Sequence, residues 1–230
     1  MSTILVTGAN RGIGLSITRM YGEQGHTVIA CCREPKGADA LNQLAGNSLI
    51  KVQKLDVGNS HSVLAMAKDL EGMPIDVLLN NAGIGGPAHD NQSAYNMDFE
   101  GWAETFNVNT MAPVRVMQAL NCNLKLAETP KVVTISSQLG AISLDRAFAY
   151  AYCTSKAALN KFMRMAAIPM KDDGIAVCVI HPGWVRTDMG RPEADLSPDE
   201  SAAGIIEVIS GLNIENTGSF WKWNGEVHPW

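Results

Sequence analysis

The 230-residue chain holds no apolar run approaching the ~18 residues that a membrane-crossing helix requires, so no membrane partner is expected. It also lacks any block of lysine or arginine. With a net charge of −5 it offers no basic stripe for a phosphate backbone, and nucleic acid is excluded as a partner. The five cysteines (Cys31, Cys32, Cys122, Cys153, Cys178) are odd in number and scattered, with no Cys-x-x-Cys pair, which argues for free thiols rather than a disulfide framework or a zinc site. No histidine stands three or four residues from another, so a helix-borne metal site has no support and no metal is expected. Low-complexity tracts and short repeats are missing too. The strand pattern Ile4-Leu5-Val6 begins almost at Met1, which leaves no charged-then-apolar leader and makes the cytoplasm the expected location.

What is present fits one α/β domain over residues 1–230. Hydrophobic residues make up 46% and charged residues 18%, ordinary values for a folded chain large enough for a substantial core. Apolar, β-branched runs recur at Ile4–Val6, Thr27–Ala30, Ile50–Val52, Val77–Leu79, Val132–Ile135 and Ala176–Ile180. Helical spacing of apolar residues lies between them, over Leu15–Gln24, Ser60–Leu70, Phe99–Ala127 and Tyr150–Met165. The alternation predicts a doubly wound, mostly parallel sheet with helices on both faces, a single-domain Rossmann fold. Pro198-Asp199-Glu200 reads as the first turn of a further helix. Pro169 should end or kink the helix that precedes it. Two Gly-, Pro- and polar-rich stretches, at about 84–97 and 187–198, read as loops over a site.

Thr7-Gly8-Ala9-Asn10-Arg11-Gly12-Ile13-Gly14 ends the first strand and opens the first helix. Gly8, Gly12 and Gly14 can turn tightly and bring backbone N–H groups, Ile13 among them, against a pyrophosphate at the helix N-terminus. The spacing differs from the common Gly-x-Gly-x-x-Gly fingerprint, and a glycine-rich packing turn is the plain alternative. At the end of the second strand, where a carboxylate would accept a ribose 2′-OH, stand Cys31-Cys32-Arg33. Arg33 offers a planar fork suited to a 2′-phosphate, with Arg11 as a second cation and Asn10 as a donor, so NADP(H) is favoured over NAD(H). Glu34 stands against this, since a carboxylate beside Arg33 could neutralise it.

Tyr152 and Lys156 are four apart, on one face of a helix. A phenol could serve as acid to a carbonyl oxygen, and a nearby ammonium would lower its pKa from about 10. Tyr150 has Thr154 four residues on, hence no such partner.

Taken in order, Thr7-Gly8-x-x-x-Gly12-Ile13-Gly14, Asn80-Asn81-Ala82-Gly83, Ser137, Tyr152-x-x-x-Lys156 and Pro182-Gly183 resemble the short-chain dehydrogenase/reductase family along the whole chain. The closer likeness is to small carbonyl reductases of the sniffer and C-factor type. It lies in Tyr150–Asn160, His181–Gly190 and the ending Gly225–Trp230. The resemblance implies hydride transfer between a nicotinamide dinucleotide and a carbonyl or alcohol, with Tyr152 handling the proton and Lys156 also gripping the nicotinamide ribose. It implies that Ser137 orients the substrate oxygen and that Asn109 holds a water linking the lysine to solvent. Ser136 and Asn107 remain rivals for those places. Tyr152 follows Ser137 by 15 residues, longer than the family's usual interval, which points to an extended loop over 141–149. The resemblance further assigns Asp56 and Val57 to the adenine, and Asn81, Ala82 and Gly83 to its ribose. Pro182, Gly183, Val185 and Thr187 fall to the nicotinamide carboxamide. A secondary-alcohol dehydrogenase and a dinucleotide-binding signalling protein remain the alternatives to an NADPH-dependent carbonyl reductase. Members are often homodimers or homotetramers.

Overall fold

The computed structural model describes residues 1–46 and 49–230. Seven strands form one sheet: β1 (Thr3–Thr7), β2 (Thr27–Cys32), β3 (Ile50–Lys54), β4 (Val77–Asn80), β5 (Lys131–Ile135), β6 (Ala176–His181) and β7 (Ser219–Lys222). Their order is β3-β2-β1-β4-β5-β6-β7 and every pairing is parallel. The helices between them are α1 (Gly12–Glu23), α2 (Asp39–Leu44), α3 (Ser60–Asp69), α4 (Phe99–Phe106), α5 (Ala112–Ala119), α6 (Asn121–Lys125), α7 (Tyr150–Asp172) and α8 (Pro198–Gly211). The result is the doubly wound Rossmann arrangement, whose order reverses between β1 and β4.

Strand alternation sends successive side chains to opposite faces, and both faces are buried. Ile4, Val6, Val28 and Ala30 pack with Ile17 of α1 and Ile205 and Ile209 of α8. Leu5, Ile29 and Leu78 pack on the other side with Val63 and Met66 of α3, Val116 of α5 and Leu159 of α7. Each such aliphatic side chain stabilises the fold by about 1.5–3 kcal/mol through burial, and truncating Leu5 to alanine would cost about 2–5 kcal/mol. No helix among the described residues is long and apolar enough to cross a membrane.

The helix starts follow from local chemistry. In α8 the Ser197 hydroxyl accepts the Glu200 amide at 3.1 Å while Glu200 Oε2 accepts the Ser197 amide at 2.8 Å, a capping box with Pro198 in the first turn. Asn59 caps α3 through the Ser62 amide, and Asp98 caps α4 through the Gly101 amide.

Three sequence expectations change. The stretch Phe99–Ala127 is not one helix: α4 passes into a π-helical segment at Asn107–Met111, then α5, then α6 after Leu120. Asn109 explains the distortion, because its amide satisfies the backbone of Ile84 twice, at 2.9 Å each way. The helix expected over Tyr150–Met165 runs to Asp172, and Pro169 lies inside it rather than ending it. Strand β7 and helix α2 complete the fold without having been anticipated.

Candidate active site

The carboxyl ends of β1, β4, β5 and β6 converge beside the glycine turn. Gly8 and Gly12 adopt φ of +66° and +54°, a region that disfavours any side chain. At Gly14 a Cβ would lie 2.3 Å from the Gly8 carbonyl oxygen and 2.6 Å from Asn81 Nδ2, so only glycine fits. Asn81 clamps this turn, donating from Nδ2 to the carbonyls of Thr7 (3.0 Å) and Gly8 (3.1 Å). The amides of Asn81 and Ala82 donate to the Thr7 hydroxyl.

Helix α1 begins with no side-chain cap and no acid in its first turn. Its N-terminal amides and positive dipole end therefore suit an anion such as a pyrophosphate, with Gly12 and Ile13 at the opening. Asn10 is exposed on the same turn. Arg33, just past β2, is exposed and has no ion-pair partner among the described residues, Glu34 included. Arg11 departs from the sequence expectation: its guanidinium pairs with Asp188 at 2.5 Å instead of standing open as a second phosphate cation. Two exposed side chains, distant in sequence, made that pairing unreadable.

Asp56 lies exposed beyond β3, where its Oδ1 accepts the Gly58 amide at 3.0 Å; Val57 beside it is buried. Gly83 stands between Asn109 and Lys156, since a Cβ there would be 3.2 Å from Asn109 Oδ1 and 3.8 Å from Lys156 Nζ. Asn109 also donates to the Ser155 hydroxyl at 3.1 Å and is buried. Its rival Asn107 points elsewhere, donating to the Gly58 carbonyl and accepting from Arg115.

The two serines after β5 separate cleanly. Ser136 is buried and donates to Asn160 Oδ1 at 2.5 Å. The Ser137 hydroxyl accepts the Leu139 amide at 3.1 Å and lies beside the Tyr152 phenol, whose ionised form it favours. Asn160 in turn donates to the Gly140 carbonyl, and a Cβ on Gly140 would meet the Lys156 backbone at 2.8 Å. Close approach of the 138–140 turn to α7 thus sets the distance between Ser137 and the tyrosine.

Lys156 is 4% exposed and donates to the Ile135 carbonyl at 2.9 Å. Its Nζ lies 5.7 Å from the centre of the Tyr152 ring. Burial lowers the ammonium pKa to about 8. The Tyr152 phenol is pushed up to about 12, first by burial, with the Ser137 hydrogen bond opposing and Cys153 adding to it. The expected lowering of the phenol by the lysine is not met, because burial dominates the shift.

After β6, Gly183 takes φ +86° and the Pro182 carbonyl accepts the Ser201 hydroxyl at 2.6 Å. Val185 is buried and bridges to Leu196. The Thr187 methyl comes within 3.1 Å of a Cβ placed on Gly12, so the 187–198 loop rests against the glycine turn. The 141–149 loop roofs a cleft of about 160 Å³ with Leu139, Ile142, Leu144 and Arg146 in its wall. A larger cleft of about 270 Å³ lies between α8 and β7 and contains none of these residues.

Sequence reasoning missed Gln92, which reaches from the loop after β4 to the amide of Ala151 in α7. It missed Thr110 and Ser155 as well, which lock the π-helical segment to α7 through a 2.8 Å bond. Nothing in their sequence neighbourhoods marks them, because each acts across elements.

A family model for short chain dehydrogenases matches residues 2–196. The C-signal protein of Myxococcus xanthus is 37% identical over 158 residues, covering 68% of this chain and 93% of that protein. The NADPH-bound carbonyl reductase from chicken fatty liver superposes with a TM-score of 0.92 at 34% identity, over 100% of this chain and 99% of that one. The carbonyl reductase Sniffer of D. melanogaster gives a TM-score of 0.92 at 30% identity over 100% of both chains.

Proposed function

The chain belongs to the short-chain dehydrogenase family, and from that premise we propose that it is an NADPH-dependent reductase of small or medium carbonyl compounds, an aldehyde, ketone or quinone. The observation that carries this reading is the convergence of Ser137, Tyr152 and Lys156, with the lysine Nζ 5.7 Å from the tyrosine ring and held by the Ile135 carbonyl. Reduction leaves negative charge on the substrate oxygen, which calls for a loaded acid and a fixed donor beside it. Tyr152 is that acid and Ser137 the donor. Oxidation of an alcohol would use the same Tyr152 as a base, so turnover rates measured in both directions separate the two readings.

The bound cofactor supplies the hydride. Gly8, Asn10, Gly12, Ile13 and Gly14 hold its pyrophosphate at the N-terminus of α1. Asp56, Val57, Asn81, Ala82 and Gly83 take the adenosine, and Arg33 takes the 2′-phosphate. Lys156 and Tyr152 hold the nicotinamide ribose, and Pro182, Gly183, Val185 and Thr187 the carboxamide. Lys156, near its own titration point at pH 8, keeps a positive charge behind the phenol and returns protons toward it from the Asn109 side. The chicken and fly carbonyl reductases support both the substrate class and, through the NADPH of the former, the cofactor. The likeness to C-signal keeps a signalling role as the second reading.

The test is oxidation of NADPH against a panel of aldehydes, ketones and quinones, with Tyr152→Phe and Lys156→Ala alongside. Turnover in the parent chain and its loss in Tyr152→Phe with NADPH binding retained is the expected result. Tight NADPH binding without turnover of any carbonyl would overturn the reductase. Arg33→Ala should weaken NADPH by about 10–100-fold and leave NADH nearly unchanged, because a charge-assisted contact worth about 1.5–3 kcal/mol is removed.

A further inference from the structure

Helix α7 carries Tyr152 and Lys156, yet it starts without a local cap. Its N-cap residue, Ala149, sits in the left-handed region at φ 48° and offers no side-chain acceptor. The amide of Ala151, one residue before the tyrosine, donates instead to Gln92 Oε1 at 3.0 Å, 59 positions earlier in the chain. Gln92 is 5% exposed, and its Nε2 donates to the Pro87 carbonyl at 2.6 Å. Both ends of a buried amide are therefore satisfied by two backbone segments, one on the 84–97 loop and one on α7. The same loop touches the same turn at Gly86, where a Cβ would lie 3.3 Å from the Ala151 Cβ.

We propose that Gln92 is a positioning residue for the proton transfer, capping α7 from the loop that borders the substrate and so fixing the Tyr152 hydroxyl against Ser137. The proposal rests on Tyr152 being the proton donor. Other members of the helix have their own anchors: Lys156 is held by the Ile135 carbonyl, and Ser155 by Asn109 and Thr110. Tyr152 lies N-terminal to those anchors: the Ser155 hydroxyl donates to its carbonyl at 2.7 Å, and the Gln92 bond, with the Gly86 contact, ties the turn before it to the 84–97 loop. Loss of Gln92 therefore loosens the phenol while leaving the lysine and the cofactor-side residues in place. It also makes proton delivery depend on the seating of the 84–97 loop, so substrate contact with that loop is felt at the acid.

The experiment compares Gln92→Met, which keeps the shape without donor or acceptor, with Gln92→Glu, whose carboxyl, kept neutral by burial, retains an acceptor toward Ala151 and a donor toward Pro87. For the full chain one measures kcat, the KM for the carbonyl, the Kd for NADPH, and amide hydrogen exchange over residues 149–153. Gln92→Met should lower kcat about tenfold or more, the scale on which small misplacements of a reacting group act. Its Kd for NADPH should stay unchanged and its exchange over 149–153 should quicken, while Gln92→Glu keeps most of kcat. Wild-type kcat in Gln92→Met, a loss confined to the Kd for NADPH, or a kcat in Gln92→Glu as low as in Gln92→Met would overturn the proposal. If Gln92→Met does not fold, Gln92→Glu decides alone: activity as low as that of Tyr152→Phe sinks the idea. Failure of the underlying reductase reading is distinguishable, since the parent chain would then turn over no carbonyl, and unchanged exchange in Gln92→Met would independently remove the cap.

Discussion

Lys156 is a cation held where water scarcely reaches, and the fold bears the consequence. A fall in its pKa from 10.5 to about 8 corresponds to about 3 kcal/mol of unfavourable burial, partly offset by the bond to Ile135. Between pH 8 and 10.5 the unfolded chain binds more protons at this site than the folded one, so stability rises with pH across that window and is lowest below it. Lys156→Met should therefore stabilise the protein by about 1–3 kcal/mol at neutral pH while abolishing turnover. Urea unfolding of both proteins at successive pH values checks this: the gap should shrink as pH climbs from 8 toward 10.5, and a Lys156→Met chain no more stable than its parent would refute it. At this scale the sequence was legible in part. The spacing of Tyr152 and Lys156 showed their shared face, but not the sign of the phenol shift, because desolvation comes from residues gathered from β5, α7 and the turn at 138–140. The sequence favoured Ser137 over its rival Ser136, and in the structure Ser136 is taken up by Asn160 while Ser137 lies beside Tyr152.

Elements show where periodicity informs and where it misleads. Apolar spacing found α1, α3 and α7, yet the helix read from it ran straight through Asn107–Met111, where the chain turns π-helical. Asn109 was the visible clue, a residue that fits a helix interior poorly unless its amide is spoken for elsewhere. Of the two effects expected of Pro169, ending the helix is the one that does not occur. The residue is exposed, and α7 carries it through to Asp172 despite the missing N–H. Restoring that donor in Pro169→Ala should raise stability by about 1–2 kcal/mol, less than the full helix penalty of proline because the unfolded chain also gains freedom. A higher denaturation midpoint with unaltered NADPH affinity is the expected outcome; a lower one would mean that the ring itself is needed there.

Across the whole molecule, five strands could be read because each is buried on both faces and so appears as an apolar run, while the edge strand β3 was marked by Ile50 and Val52 alone. The seventh could not: β7 lies at the sheet edge, and of Ser-Phe-Trp-Lys only Phe220 is fully buried. The glycine turn was readable as a cradle, though its dependence on Asn81, just past β4, was not. That dependence makes Gly14→Ala a test of the assembled site, since its Cβ would press on the Gly8 carbonyl and the Asn81 amide together. NADPH affinity measured by calorimetry should fall at least tenfold, with about 1–3 kcal/mol of stability lost; retained affinity would mean that the turn can shift without harm. The all-parallel order β3-β2-β1-β4-β5-β6-β7 has a consequence in time as well as in space. Among the described residues no two strands are joined by a hairpin, so every rung must wait for a crossover to close, and β1 cannot gain its second neighbour until the chain has reached Val77. Such a topology folds slowly for its length, and while it waits its unpaired strand edges are open to other copies, so yield on refolding becomes a question of dilution.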